Sequence, residues 1–250
     1  MKLGAFAMID ALGFKGIWDH PDVRGHEDRF IDTLRELADA TPSTASEDET
    51  NLISSLESAF LSDTVVVGLT TKSPSEALTM MGSIANEEFL KMVAVKLLAM
   101  LVAKITWRAA QATPVLAFRG CIGFGKFTIA DRRFILGSAV DEAAENVNQA
   151  EGAFIWLLPS ARSVVANCFP EDSWSESLPG RPLLPWSVPL KAGRFYETLA
   201  VFPHDSASTA DERKRVVANL EQSFNRNSLD VHIKKQNTMK FLHSTVSDCK

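Results

Sequence analysis

Cysteine is scarce in this 250-residue sequence, and an excess of positive charge is missing. The three cysteines (Cys121, Cys168 and Cys249) are scattered and form no CxxC pair, and the five histidines show no metal-ligand spacing. The composition therefore indicates neither a disulfide framework nor a zinc site. The net charge of -5 argues against sequence-independent nucleic-acid binding, which needs a broad basic surface, so we expect no nucleic-acid partner.

Long uncharged hydrophobic runs are missing as well. The most apolar segment, about residues 87–112, carries basic residues, and its longest uncharged run is Leu97–Ala103. That run is far shorter than the ~18 to 20 residues of a membrane-spanning helix. Asp10 interrupts the N-terminal apolar stretch, which argues against a signal peptide. We therefore expect a cytoplasmic protein with no membrane contact.

The sequence does contain two aspartates that adjoin apolar, strand-like runs. Asp10 ends the run that begins at residue 3, and Asp63 lies in a predicted hairpin between two further runs. A buried carboxylate is costly unless a cation or a cluster of backbone donors compensates it. The pair therefore suggests a divalent-metal site over a nucleotide phosphate. Taken separately, Asp10 is also compatible with a turn cap, and Asp63 with a solvent-exposed turn residue.

The spacing of apolar residues predicts the element order β-α-β-β-α-β. The strands of this core are expected at 3–10, 52–61, 64–69 and 115–127, and its helices at 24–40 and 86–112. Beyond it we expect a strand at 132–136, a helix at 138–151, a strand at 153–158, an irregular excursion at 170–189 and a strand at 194–202. This order is the split βαβ arrangement of an α+β, ferredoxin-like or palm domain. The first strand then ends beside the central hairpin, which would bring Asp10 and Asp63 together.

The chain is expected to divide into a main domain at residues 1–203 and a C-terminal helical extension at residues 204–250. The segment Thr209-Ala-Asp-Glu212 has the spacing of a capping box and predicts the start of a helix. Val216, Leu220 and Phe224 fall on one face of that helix, so we expect this face to be buried.

Four segments, in their order and spacing, resemble the motifs of the class III nucleotidyl cyclase family. They are Asp10-Ala-Leu-Gly-Phe14, Ser62-Asp63, Arg119-Gly-Cys-Ile-Gly-Phe-Gly125 and Gly137-Ser-Ala-Val-Asp141-Glu-Ala143. The resemblance runs from residue 3 to about residue 158, with a weaker similarity around Lys191 and Thr198. It implies a palm fold in which residues 1–203 form the catalytic domain. The implied reaction is attack of the ribose 3′-oxygen on the α-phosphorus of a nucleoside triphosphate, with release of pyrophosphate.

The resemblance also implies a set of metal and phosphate ligands. Asp10, Asp63 and the carbonyl of Ala11 are expected to bind two Mn²⁺ or Mg²⁺ ions per active site, and oxygen ligands suit these ions better than zinc. Asp10 and Asp63 would thereby act as the catalytic residues. The backbone N–H groups expected to face the β- and γ-phosphates are those of Leu12, Gly13 and Phe14.

Three positions depart from the purine-specific members of the family. Asp141 and Glu145 stand where those enzymes carry an asparagine and an arginine, and Phe134 stands at the place of their purine-selecting acidic residue. A chain with these departures and both metal aspartates resembles the bacterial pyrimidine cyclases of Pycsar anti-phage defence. The resemblance therefore implies a uridylate cyclase that makes cyclic UMP from UTP as an antiviral second messenger. A cytidylate cyclase that makes cyclic CMP is the alternative.

Five further residues are assigned to the substrate, and four of these assignments keep an alternative. Arg119 is expected to reach substrate phosphate or base, or else to extend to the sheet edge. Lys191 stands at the place of a triphosphate-binding lysine, although a solvated charge explains it as well. Phe134 is assigned either to the base pocket or to the core, and Ser138 to the edge of a uracil. Asp141 is expected to accept the N3–H of uracil, or to face solvent.

The resemblance finally implies partners. In this family two subunits share each active site, so we expect a two-fold symmetric homodimer in which one subunit holds the metals and the other contacts the base. A separate effector protein would read the cyclic nucleotide without direct contact. Two other functions stay open: a degenerate cyclase domain that senses nucleotide without turnover, and a dinucleotide synthase of the GGDEF kind. The hairpin typical of that synthase is absent, because Ser62-Asp63-Thr64 occupies the turn.

Overall fold

The structure, a computed structural model, describes residues 1–12, 22–26, 28, 31–32, 51–81, 86–131, 134–169, 183–203, 209–224 and 228–246. Its strands are β1 (Lys2–Leu12), β2 (Ile53–Leu61), β3 (Thr64–Thr71), β4 (Ala117–Ala130), β5 (Phe134–Leu136), β6 (Ile155–Leu157), β7 (Leu183–Leu190) and β8 (Arg194–Val201). Its helices are α1 (Pro74–Met81), α2 (Glu87–Ala109), α3 (Ser138–Asn146), α4 (Pro159–Cys168), α5 (Ala210–Ser223) and α6 (Leu229–Val246). A 3-10 turn, Lys191–Gly193, joins β7 to β8.

The described strands form one mixed sheet in the order β2-β3-β1-β4-β6-β8-β7, with β5 paired to β4. The first four strands of this order pair with one another in antiparallel fashion, and β1 lies between β3 and β4. That is the strand arrangement of a split βαβ domain, so the predicted α+β, ferredoxin-like core is confirmed. β6 then adds to β4 in parallel, and the β7–β8 hairpin extends the sheet on that side.

Most elements of the core lie where the sequence predicts them. The two hairpin strands, the strand that carries the glycines and the long apolar helix all form within a few residues of their expected bounds. Asn86 caps the long helix α2, since its side chain accepts a hydrogen bond from the N–H of Phe89. Sixteen of the 23 residues of α2 are buried, which agrees with its apolar character on most sides. Most of the helix expected at 24–40 lies outside the described residues.

Three predictions about the elements are wrong in part. The strand expected to end at Asp10 continues to Leu12, because β4 pairs with it over its whole length. The helix expected at 138–151 ends at Asn146, since the backbone that follows bonds to the end of β7 and the 3-10 turn instead. Part of the predicted irregular excursion at 170–189 is strand β7, whose prolines are tolerated because β7 is an edge strand. The remainder of that excursion lies outside the described residues.

Two hydrophobic clusters lie on the opposite faces of the sheet. The first joins alternate residues of β1, such as Ala7 and Ile9, to helices α2 and α4. The second joins the other set, which includes Phe6 and Met8, to helices α3, α5 and α6. The alternation of side chains along β1 therefore assigns Asp10 to the same face as α3 and the C-terminal helices.

The two C-terminal helices pack on the second face of the sheet. The predicted capping box is confirmed: Thr209 accepts from the N–H of Glu212, whose carboxylate accepts from the N–H of Thr209. Val216 and Leu220 are buried, and Asn219 donates to the carbonyl of Ala110. The division of the chain at residues 203 and 204 stays a prediction. Among the described residues, no helix combines the length and apolar character needed to cross a bilayer.

The aromatic side chain of Phe241 anchors α6. It is fully buried, and its ring lies 5.1 Å from that of Trp186, 5.7 Å from Phe154 and 6.1 Å from Phe202. These rings belong to, or lie beside, strands β6, β7 and β8. A single side chain thus joins the C-terminal helix to one side of the sheet.

The substitution Phe241→Ala is expected to lower the free energy of unfolding by about 3 to 5 kcal/mol, because it leaves a cavity among three aromatic rings. Urea denaturation measures this loss. Ile233→Ala on the same helix is the matched control, since that side chain is 39% exposed. Equal unfolding midpoints for the two variants would contradict the packing of α6.

Candidate active site

The register of the sheet brings the two predicted aspartates together. Asp10 is paired with Thr64 of β3 on one side and with Arg119 of β4 on the other. Asp63 lies in the two-residue turn between β2 and β3, and its carbonyl accepts a hydrogen bond of 2.9 Å from the N–H of Ala11. The turn begins at Ser62, whose φ of 59° is typical of a primed hairpin turn. The expected convergence of Asp10 and Asp63 is therefore confirmed.

The two carboxylates interact electrostatically. The pKa of Asp10 is raised above its ordinary value, chiefly because the carboxyl is buried and also because the charge of Asp63 lies close to it. Arg119 acts in the opposite direction, through a hydrogen bond and through its charge, but does not reverse the shift. The site without a cation thus holds more negative charge than its one paired arginine compensates.

Arg119 is turned towards this pair rather than towards the sheet edge. Its Nε and Nη2 atoms lie 3.4 Å and 3.2 Å from Oδ2 of Asp10, and Nη2 also donates to Oδ1 of Asn148. Only 14% of the arginine side chain and 15% of the aspartate side chain are exposed. The alternative in which Arg119 extends to the sheet edge is therefore wrong, whereas its contact with a substrate stays a prediction.

Lys191 is attached to the segment that carries Asn148, the second partner of Arg119. It is exposed, and its N–H donates to the carbonyl of Gln149, the residue that follows Asn148. The 3-10 turn thereby places the backbone of Lys191 beside the residue that follows Asn148. Its predicted contact with the triphosphate stays untested.

The other predicted substrate contacts lie far from the aspartates within one chain. Ser138 accepts from the N–H of Lys126, seven residues along β4 from Arg119, and a strand of that length spans roughly 20 Å. Phe134, on the strand that pairs with the end of β4, is 63% exposed, so its assignment to the core is wrong. Asp141 is exposed on α3, on the turn next to Ser138. A single chain therefore does not bring these three residues to Asp10.

The oxygen atoms around Asp10 and Asp63 fit a hard divalent cation. Both Arg119 contacts go to Oδ2 of Asp10. The N–H of Ala11 points to the hairpin, and the carbonyl of the same residue in an extended strand points to the same side. No group of three or more His, Cys, Asp or Glu side chains that suits a metal occurs in the described ranges. Two carboxylates with a carbonyl, water and phosphate are what Mg²⁺ commonly uses.

Some residues of the site lie outside the described residues, and one residue that the structure shows there was not predicted. Gly13 and Phe14, the expected phosphate-facing residues, lie outside the described residues, while Leu12 ends β1 opposite Ala117. Asn148 was not predicted, because it follows a helix in a turn and has no periodic or motif signal. Its contact with Arg119 is visible only once β4 and α3 are packed together.

No protein-family model matches the sequence, and no curated protein matches it. Several solved structures are similar in fold, among them the following two. One is the catalytic core of a rhodopsin-guanylyl cyclase with converted specificity in complex with ATPalphaS, with a TM-score of 0.46 and 10% identity over 80% of this chain and 95% of that one. The other is a class III adenylyl cyclase-like ATP-binding protein from Pseudomonas aeruginosa, with a TM-score of 0.41 and 14% identity. The match covers 99% of this chain but only 44% of that protein. Superpositions of this quality say nothing about the reaction of this chain.

In the metal-free protein, Asp10→Asn is expected to raise the melting temperature at pH 7. A carboxyl whose pKa is raised on folding destabilises the fold once the pH exceeds that pKa, and the amide removes this charge. Below the ordinary pKa of 3.8 the carboxyl is protonated in both states, so the gain should vanish. Thermal unfolding in EDTA at about pH 3 and at pH 7 measures the difference.

The control for this prediction is Asp211→Asn, because the Asp211 side chain is 89% exposed and its ion pair with Lys214 is a surface contact. It should leave the melting temperature nearly unchanged at either pH. A lower melting temperature of Asp10→Asn at pH 7 would mean that the bond to Arg119 outweighs the burial and the repulsion.

Proposed function

We propose that this protein is a class III type nucleotidyl cyclase that converts UTP to 3′,5′-cyclic UMP and pyrophosphate. The observation that carries the proposal is the juxtaposition of Asp10 and Asp63 beside Arg119 on a split βαβ sheet. Two adjacent carboxylates, one of them with a raised pKa, attract divalent cations, and a guanidinium beside them attracts phosphate. A nucleoside triphosphate with its metal ions supplies both kinds of partner.

The chain's own residues have defined tasks in this reaction. Asp10, Asp63 and the carbonyl of Ala11 hold two Mn²⁺ or Mg²⁺ ions, which when bound activate the 3′-hydroxyl and neutralise the triphosphate. Arg119 and Lys191 hold the β- and γ-phosphates, so that the bond from the α-phosphorus to pyrophosphate lies opposite the attacking 3′-oxygen. Positioning and charge neutralisation supply most of the acceleration, because little covalent chemistry falls to the protein.

The protein acts as a homodimer in this proposal. The roughly 20 Å between the aspartates and Ser138 along β4 is too long for one small nucleotide to bridge, so one chain offers two separate halves of a site. A two-fold axis that pairs the chains head to tail brings the Phe134–Ser138 end of each subunit to the aspartates of its partner. Phe134 and Leu136 are 63% and 60% exposed, which supports a contact at this end.

The proposed base is a pyrimidine, and UTP is preferred. Asp141 is exposed near Ser138 and carries an acceptor, whereas recognition of uracil requires an acceptor for its N3–H. Cytosine lacks that proton, so CTP is the alternative substrate. The cyclic product would serve as a second messenger in anti-phage defence and act on a separate effector protein. The residues 1–203 form the catalytic domain in this proposal, and the protein works in the cytoplasm.

A sensor that binds nucleotide without turnover is the second candidate. Asp141 and Glu145, both exposed on α3, stand at the positions where purine cyclases use an asparagine and an arginine. Loss of these groups removes transition-state contacts while the phosphate site persists. The two candidates differ in a single observable, which is the formation of a cyclic product.

The purified protein is expected to convert UTP or CTP in Mn²⁺ to a cyclic nucleotide identified by mass, and Asp63→Ala should lower kcat/KM at least about 100-fold. Asp211→Ala removes an exposed aspartate and is the control for altered surface charge. Cyclic AMP or cyclic GMP as product would overturn the pyrimidine assignment. Binding of all four triphosphates without any cyclic product would exclude the cyclase and support the nucleotide sensor.

The substitution Asp141→Asn is expected to lower the ratio of UTP to CTP turnover by about tenfold, because an amide can donate to N3 of cytosine as well as accept from uracil. Competition between the two triphosphates in one reaction measures the ratio directly. Glu145→Gln, four residues further along the same helix, controls for the loss of a negative charge on α3. An unchanged ratio would remove Asp141 from the base pocket.

A further inference from the structure

The guanidinium of Arg119 is hydrogen-bonded at Nε and Nη2, and its third nitrogen, Nη1, defines the open edge. Its Nε and one hydrogen of Nη2 are directed to Asp10, and Nη2 also donates to Oδ1 of Asn148. An arginine has five donors in a planar fork, so Nη1 with its two hydrogens remains. Among the described residues, Nη1 bonds to no acceptor. Because the fork is rigid, the contact with Asn148 also fixes the direction of this open edge.

Asn148 belongs to a segment that is held from two sides. On one side, Gln149 accepts from the N–H of Lys191, and Glu151 donates its N–H to Pro189. These are the backbone bonds that end helix α3 early. The residues that follow Asn148 are therefore attached to the end of β7 and to the turn that carries Lys191.

On its other side the segment is attached to helix α6. Asn237 donates to the carbonyl of Glu151 over 2.7 Å, and Thr238, which is fully buried, accepts from the N–H of Ala153 over 2.8 Å. Neither bond belongs to the regular hydrogen bonding of a helix or strand. The C-terminal helix thus fixes the backbone a few residues beyond Asn148.

We propose that Asn148 is a positioning residue that holds the Nη1 edge of Arg119 towards the phosphates of the substrate, and that Asn237 and Thr238 of α6 fix the segment on which Asn148 lies. This rests on the proposed function, in which Arg119 contacts phosphate. Without the Asn148 acceptor, the guanidinium is free to turn both of its terminal nitrogens to Asp10, the nearest anion. Its open edge would then leave the phosphate position, while the carboxylates would keep their places.

The direct test is calorimetric binding of pyrophosphate in Mn²⁺, which needs no turnover. Asn148→Ala is expected to weaken this binding about tenfold, the equivalent of one hydrogen bond to a charged group. The affinity for Mn²⁺ alone, measured by electron paramagnetic resonance, should stay within about twofold, because the carboxylates are unchanged. A merely structural loss would weaken both ligands together. Asn148 is exposed, so we expect the variant to fold.

Matched variants of neighbouring residues separate side-chain from backbone effects. Gln149→Ala removes a side chain that bonds to the carbonyl of Glu145 on α3, and Gln236→Ala removes one that bonds to His232 on α6. Both should bind pyrophosphate as the unchanged protein does. Asn237→Ala should weaken pyrophosphate binding in the same direction as Asn148→Ala, by a smaller factor of about three.

The outcomes distinguish this inference from the proposed function. Equal pyrophosphate affinity in Asn148→Ala and in the unchanged protein would overturn the inference, as would the absence of pyrophosphate binding in the unchanged protein. Pyrophosphate binding that responds to Asn148 but comes without any cyclic product would support the inference and refute the cyclase. In an active enzyme, the KM for the triphosphate should rise about tenfold in Asn148→Ala with kcat changed much less.

Discussion

The repulsion between Asp10 and Asp63 is the constraint on which the site depends. The chain cannot relieve it by moving either residue, because the β1–β3 register fixes Asp10 and the two-residue turn fixes Asp63. Arg119 compensates only part of the charge, since the pKa of Asp10 remains raised. A pair of like charges held together by backbone hydrogen bonds lowers the stability of the fold. A cation that binds between them would offset this loss.

The rest of the fold supports this arrangement from behind. The face of β1 opposite Asp10 lies against the apolar helix α2, whose burial holds the central strands in place. A Cβ at Gly120, next to Arg119, would overlap the carbonyl of Met8, so the close approach of β1 and β4 needs glycine at that point. Arg119 and Asp10 face each other across that contact. The packing of the core and the geometry of the site are therefore parts of one strand pair.

The sequence was sufficient for the core and for the aspartate pair, because both depend on local signals. Alternation of apolar residues and a tight turn at Ser62-Asp63 each act over a few residues and agree with one another. The early end of α3 and strand β7 were not predictable in this way. Both are decided by contacts between distant segments: backbone bonds from residues 149–151 to β7, and an edge position that tolerates proline. Asn148 was not predicted for the same reason, because its contact with Arg119 also joins distant segments.

Strand β4 connects the two halves of the proposed site. Arg119 is near the start of this strand, and the contact between Lys126 and Ser138 is near its other end. A straight strand keeps these two ends apart whatever the side chains do, so no rearrangement within one chain can assemble a pocket from both. The proposed function therefore includes a dimer, because only a second chain can bring Ser138 and Asp10 to the same nucleotide. The α6 contacts lie at the Asp10 end of β4 and the exposed β5 at its other end, so in the proposed function the C-terminal helices adjoin the phosphate half of the site and β5 the base half.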